Sequence, residues 1–186
     1  MYSAVPLFKS HYSLGKSVLT LAKAGSSEPD EPSSVIDIAK KLNLSKIYLV
    51  DDSISGFLEA CKSCEDAKLD FTFGLRLTVC DDINNKTAES REKEHKIIVF
   101  IKKSEGYQNL IKISTVASTN GFYYEIVPDK NLVVKAQSIY YENKEDFLAY
   151  LTFRCISERT TLSKPNLEHC SSNEFCAESF KEKYGK

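Results

Sequence analysis

The sequence predicts an α/β domain with a mainly parallel sheet, and three observations lead there. Short apolar runs of strand length alternate with stretches whose apolar residues recur at helical spacing, as in successive βα units. The run at residues 47–50 is continuously apolar rather than alternating, the look of a strand covered on both faces. The chain has 186 residues, 42% hydrophobic and 27% charged, which suffices for one sizeable core and excludes wholesale disorder.

Taken in order, residues 5–8 form an apolar run that ends at Lys9, Ser10 and His11 and predicts a brief buried strand. Apolar residues at 18–22 precede a loop at 25–33 rich in Pro, Ser and acids. Ser34 is placed to cap a helix over 35–42, where Val35, Ile36, Ile38, Ala39 and Leu42 recur at helical spacing. A second strand at 47–50 leads through Asp51, Asp52 and Ser53 into a helix at 54–68, with Phe57, Leu58, Cys61 and Cys64 on one face. Residues 71–79 predict a third strand, 96–101 a fourth and 107–117 a third helix, and the polar stretch 81–94 reads as a solvated loop. Residues 121–126 and 132–136 are further strand candidates, and 145–156 is the last clear helix. One domain over 1–157 is expected, with a loop-rich tail at 158–186 packing on it and a short helix at 178–183.

Lys and Arg total 25 against 26 Asp and Glu, a net charge of −1. That balance excludes a protein that coats nucleic acid by bulk charge, while leaving room for a local basic patch. No apolar run approaches the roughly 18–20 residues of a membrane span. The first residues lack the basic-then-apolar pattern of an export signal. The six cysteines are too sparse for a disulfide scaffold and read as reduced thiols. The expectation is a cytoplasmic protein with no membrane contact.

A resemblance enters at residues 102–114. Glu105, Gly106 and Tyr107 follow a strand end and lead into Asn109, Leu110, Ile111, Lys112 and Ser114. This segment resembles the polymerase and histidinol phosphatase (PHP) domain at the N-terminus of bacterial DNA polymerase III alpha subunits. Other pieces follow in the family's order. Ser10 to Leu14 is similar to the start His-x-His-Ser-x-Tyr-Ser-Leu-Leu-Asp, and Leu49 to Asp52 to Leu-Thr-Asp-His. Residues 73–77 fall where the family has Ile-Gly-x-Glu, 137–146 where it has Asn-Asp-Val-His-Tyr and Lys-Glu-Asp, and 161–166 where it has Thr-Leu-Ser-Asp-Pro-Asn.

The resemblance implies a distorted βα barrel whose strand ends hold divalent metals on His, Asp and Glu and activate water on a phosphoester. The metal-ligand positions are replaced almost throughout. Leu7 and Lys9 stand for the opening histidines, and Lys16 for the following aspartate. Asp52, after Asp51, stands for the next histidine, Arg76 for the glutamate, and Ser138 and Tyr140 for a late Asp and His. Lys and Arg put fixed positive charge where cations would sit, and Leu has no lone pair. The expectation is a degenerate site with no metal, no other cofactor and no intrinsic catalysis. The family's barrel takes roughly 250 residues or more, and here Tyr124 and Gln137 are close in sequence where the family carries further βα units. A shortened or incomplete barrel, or an open curved sheet, fits better.

Asp51 and Asp52 have a simpler reading as caps of the helix that follows. Alternatively, since buried charges need partners, they pair with Lys9 or Arg76 within about 4 Å. His11 is weakly placed as a ligand. Cys61 and Cys64 would need His169, Cys170 or Cys176 to complete a zinc site and read better as buried thiols. Cys80 and Ser13 have no matched base for nucleophilic chemistry. The aromatic residues Phe122, Tyr123, Tyr124 and Phe175, with the tail from Thr160 to Phe180, are the candidate binding surface.

The resulting function is a non-catalytic scaffold or interaction domain in DNA replication. Its partners would be a DNA polymerase catalytic subunit, a proofreading exonuclease or a clamp component, and as a stand-alone chain it fits a split subunit or a phage-encoded mimic. The alternatives are a metal-dependent phosphoesterase or exonuclease with a site rearranged around Asp51 and Asp52, and a module that binds single-stranded nucleic acid weakly.

Overall fold

The computed structural model describes residues 4–26, 31–80, 82, 84, 87, 89, 95–119, 123–124, 136–163 and 172–185. Six strands form one sheet: β1 (Val5–Phe8), β2 (Lys46–Asp51), β3 (Asp70–Val79), β4 (His95–Phe100), β5 (Tyr123–Tyr124) and β6 (Ala136–Ile139). The order along the sheet is β4-β3-β2-β1-β6, with β5 pairing β3 off this path. The α-helices are α1 (Val35–Lys41), α2 (Phe57–Asp66), α3 (Ser104–Thr119), α4 (Phe147–Glu158), which follows a 3₁₀ turn (Lys144–Asp146), and α5 (Ala177–Tyr184).

Register divides the sheet into two faces. Phe8, Leu49, Phe73 and Ile139 lie side by side across β1, β2, β3 and β6, and all four are 0–1% exposed. They share one core with Ile36, Ile38 and Ala39 of α1, Ala60 and Cys64 of α2, and Phe180 of α5. The neighbouring row, Leu7, Tyr48, Thr72 and Ser138, is half-buried on the opposite face. That face is concave. Arg76 on β3 reaches Ser138 on β6, although β2 and β1 lie between them in the sheet. Three strand spacings of about 4.8 Å separate such residues in a flat sheet, so one side chain spans them only because the sheet curls. Gly74 belongs to the same arrangement: a Cβ there would lie 2.8 Å from Ile98 Cγ2 and from the Phe100 ring. Its absence lets Phe100 lie across the concave face and meet Tyr48 edge-on at 6.0 Å.

The sheet is mainly parallel, as the sequence predicts, and the fourth strand is the exception. β1, β2, β3 and β6 run parallel, as does the short β5 beside Thr78 and Val79, but β4 is antiparallel to β3. A parallel return needs a packed crossover, usually helical, whereas an antiparallel return does not. The polar sequence at 81–94 has no apolar stripe with which a crossover helix would pack. The curled, half-barrel sheet is compatible with a PHP-type distorted barrel.

Local chemistry accounts for the helix ends. Ser34 Oγ accepts from the Ile36 amide at 3.1 Å and donates to the Ala22 carbonyl at 2.6 Å, so the expected cap also ties α1 to the preceding segment. α2 starts at Phe57 rather than 54, with Gly56 at its N-cap, where a Cβ would lie 2.6 Å from the Tyr12 ring. The expected strand at 121–126 is described only at Tyr123 and Tyr124, and of 132–136 only Ala136, the first residue of β6, is described. In the tail, Phe180 is fully buried, so it belongs to the core and not to the surface proposed for residues 160–180. Among the described residues no helix is long and apolar enough to cross a membrane.

Candidate functional site

The ends of β1, β2 and β3 converge with the 9–17 loop and α4 around a cavity of about 730 Å³. Lys9 follows β1 and is 1% exposed. Its backbone carbonyl accepts from Ser17 Oγ at 2.5 Å, and the same hydroxyl is 2.9 Å from the Tyr140 carbonyl, so the loop is pinned to the residue after β6. The Lys9 ammonium donates to Asp52 Oδ1 at 2.7 Å, and the half-exposed Lys16 ammonium donates to Oδ2, also at 2.7 Å. This is the acid–cation pairing the sequence leads one to expect, with a second lysine added.

Asp51, the last residue of β2, is fully buried and accepts three hydrogen bonds. They come from the Ser10 amide at 2.8 Å, Ser10 Oγ at 2.6 Å and Ser13 Oγ at 2.9 Å. Ser13 Oγ in turn accepts from the Asp52 amide at 2.9 Å. Neither acid caps α2, which begins at Phe57; they organise the 9–17 loop instead. The same bonds give Ser13 a structural role.

Burial and pairing set the protonation of these groups. Burial lowers Lys9 from 10.5 to about 8; Asp52 opposes the fall and Arg76 adds to it. Burial pushes Asp51 above the ordinary carboxylate value despite its hydrogen bonds from Ser10 and Ser13. For Asp52, burial also acts upward, but Lys9 and Lys16 together outweigh it and hold the carboxyl below its ordinary value.

The remaining predicted positions are spread over the concave face. Tyr140 lines the cavity, with its ring stacked on Tyr150 at 5.7 Å and on Phe175 at 5.7 Å. Ser138 meets Arg76 at 3.5 Å. Leu7 lies between Tyr48 and Ser138, half-buried and outside the cavity lining. Phe175 is half-buried in a second cluster with Tyr140, Tyr141, Tyr150 and Cys176, so much of its ring is used within the fold. Phe122 lies outside the described residues, and Tyr123 and Tyr124 are described as backbone of β5.

Several lining residues had not been singled out: Tyr12, Lys96, Arg154 and Glu158. Arg154 pairs with Glu158 one turn further along α4, a spacing readable in the chain, yet nothing in the sequence aims that pair at β1. Elsewhere, the His11 ring contacts the Leu19 carbonyl at 3.3 Å. Burial raises the thiols of Cys61 and Cys64, the latter to about 12, which disfavours the thiolate needed for metal binding or attack. Among the described residues Cys61, Cys64, Cys155 and Cys176 are free thiols, while His169 and Cys170 lie outside them.

The PHP domain family model matches residues 26–183, most of the chain. This chain belongs to the PHP domain family. The PHP domain here is also similar to the DNA polymerase III subunit alpha of Borreliella burgdorferi, 28% identical over 102 residues. That alignment covers 53% of this chain and 9% of the polymerase subunit, so the chain spans a small part of that protein. Leu7, Lys9 and Lys16 precede the matched residues, yet the fold brings both lysines to Asp52, inside the match.

The divalent metals that the resemblance implies for a PHP domain do not fit these residues. Both Asp52 oxygens hold lysine ammonium groups, and both Asp51 oxygens are engaged by serines. Arg76 adds a further fixed positive charge to the cavity wall. Among the described residues no three His, Cys, Asp or Glu side chains form a group able to hold a metal ion.

Proposed function

We propose that this PHP domain is a non-catalytic interaction module of DNA replication, built on a shortened or incomplete barrel. It would bind a polymerase catalytic subunit, a proofreading exonuclease or a clamp component. One observation carries the reading: the Lys9 and Lys16 ammonium groups both sit 2.7 Å from Asp52, where the family's metal chemistry needs cation ligands. Family membership and the similarity to a DNA polymerase III subunit alpha supply the replication context. A fold kept while its metal ligands are replaced argues for a role in shape and surface. The net charge of −1 argues against bulk attraction to nucleic acid. The protein acts in the cytoplasm on this reading, either as a split polymerase piece or as a phage-encoded counterpart.

Affinity capture from the native host, scored for polymerase, exonuclease and clamp proteins, tests this, followed by calorimetry on the purified pair. The expected result is a stable complex burying about 1,200 Å² or more. If no replication protein binds more tightly than about 10 µM while single-stranded DNA does, with a steep salt dependence, the nucleic-acid module replaces this reading.

A further inference from the structure

We propose that the outward face of α4 is a self-association surface, on which a second copy of this chain packs its own α4 antiparallel about a two-fold axis at Thr152. The surface lies away from the strand-end cavity and does not depend on which replication protein the domain binds.

Composition and burial leave α4 short of cover. Eight of its twelve residues are apolar or aromatic, yet only Tyr150 and Cys155 are buried. A helix that is apolar on most sides is normally enclosed by protein. Tyr150, Arg154 and Glu158 line the cavity. Leu148, Thr152 and Ile156 are offset from them by two positions, about 200° of helical rotation, and so share the opposite face. There Leu148 is 63% exposed and Ile156 70%. Thr152, between them, donates its hydroxyl to the Leu148 carbonyl at 2.8 Å, so this small residue can be covered without stranding a donor.

The stripe reads alike from either end, and that fits a copy of itself. Leu148 and Ile156 stand four positions either side of Thr152. Glu145, in the 3₁₀ turn before α4, and Arg159, at the C-cap, stand seven positions either side. Both are exposed, and neither is ion-paired among the described residues. In a two-fold pair every contact occurs twice. Antiparallel packing sets Leu148 against Ile156 of the second copy, and Glu145 against Arg159 of the second copy. It also brings opposite helix-dipole ends together. Parallel packing would instead set Glu145 against Glu145 and Arg159 against Arg159, which like charge disfavours. A helix of twelve residues is about 18 Å long, so the stripe covers roughly a few hundred Å² per copy, less than the about 800 Å² of a standard interface. The pair is therefore weak, with a Kd of about 10–100 µM.

Sedimentation equilibrium of the full chain from about 1 to 500 µM should show monomer and dimer exchanging in that range. Ile156→Glu, which puts a carboxylate against Leu148 of the second copy, should weaken the dimer about tenfold or more. Glu145→Arg should weaken it about fivefold by setting like charges together, and adding Arg159→Glu should restore it. Lys23→Gln, at the Asp66 end of α2, should change nothing. Cross-linking tests the register. Packed helix axes lie about 8–10 Å apart and Cα atoms about 2.3 Å from each axis, so Cα atoms that face each other on the two-fold come within disulfide reach. Under mild oxidation Thr152→Cys should give a covalent dimer that the unaltered chain does not. Leu148→Cys, about 12 Å from its own copy along the helices, should not. If Ile156→Glu fails to fold by circular dichroism, the charge exchange between Glu145 and Arg159 gives the same reading. A chain that is monomeric throughout, a dimer indifferent to Ile156→Glu and to Glu145→Arg, or Leu148→Cys linking as readily as Thr152→Cys overturns the surface alone. If the chain stays monomeric while Ile156→Glu abolishes binding of a replication protein, self-association is overturned and the interaction-module reading stands.

Discussion

A lysine ammonium at 1% exposure persists at Lys9 because Asp52 lies 2.7 Å away, and the contest between burial and that pairing leaves its pKa near 8. The unfolded chain binds this proton up to about 10.5, so between those values it holds more protons than the native state. Stability therefore gains from Lys9 as pH rises from 8 towards 10.5, by about 3 kcal/mol in all, and that amount is forgone at neutral pH. Asp52 works the other way at the acid end. Its lowered pKa contributes stability above the ordinary carboxylate value, and this is lost as pH falls through the folded pKa. Asp51, with its pKa raised, opposes it: ionising Asp51 costs stability as pH rises between its unfolded and folded values. Two outcomes follow at this scale. Ammonium-detected NMR should show Lys9 titrating near 8, and Asp52→Asn should lower that value further by removing the charge that supports it. In chemical denaturation Asp52→Asn should cost about 2 kcal/mol, less than the 3–5 of a fully buried broken pair, because Asp52 keeps 25% of its side chain in water. Adding Lys9→Met should recover much of that loss, since the uncompensated ammonium is then gone.

Among the elements, the contact between the 9–17 loop and α4 is set by one glycine. Gly15 has φ +69°, and a Cβ there would fall 2.0 Å from the Cβ of Ser157. Gly15→Ala should therefore destabilise by about 2–4 kcal/mol, combining left-handed strain of about 1 with overpacking of about 1–3. In a Ser157→Gly background the clash is absent and the same substitution should cost only about 1 kcal/mol; urea unfolding of the four proteins decides it. Equal costs in both backgrounds would show that the loop moves off α4 freely. The elements also differ in how far the chain reveals them. β2 and α1 were legible because their determinants are local: a continuous apolar run, and Ser34 before an apolar stripe. The direction of β4 was not, since an apolar run looks alike in either orientation. The task of Asp51 was hidden because Ser10 and Ser13 lie about 40 positions away in sequence, and next to Ser53 it looked like a helix cap. Lys9, Lys16 and Arg76 could be singled out from a resemblance, whereas Arg154 reaches their cavity only through the way α4 packs.

For the molecule as a whole, stability should be indifferent to divalent metal. A metal that occupied the strand-end site would lie within a few ångströms of ammonium groups now held by Asp52. Each unit of like charge at 4 Å costs about 4 kcal/mol at an effective dielectric of about 20, and a divalent ion doubles it. Binding would have to displace Lys9 and Lys16, stripping each of its carboxylate, with no cluster of ligands among the described residues to compensate. Were a site with a Kd of about 10 µM nevertheless present, about 1 mM metal would add about 2.7 kcal/mol by mass action. For a domain of this size that is a rise of roughly 5–10 °C in the unfolding midpoint. The expected outcome is a midpoint that stays within about 1 °C from EDTA to about 1 mM Mn²⁺ or Mg²⁺, with no hydrolysis of a phosphoester substrate under any of these conditions. A metal-dependent rise of the larger size, accompanied by hydrolysis that Asp51→Ala abolishes, would restore the phosphoesterase reading. In that case Lys9 and Lys16 would have to be gates that swing off Asp52 when metal arrives.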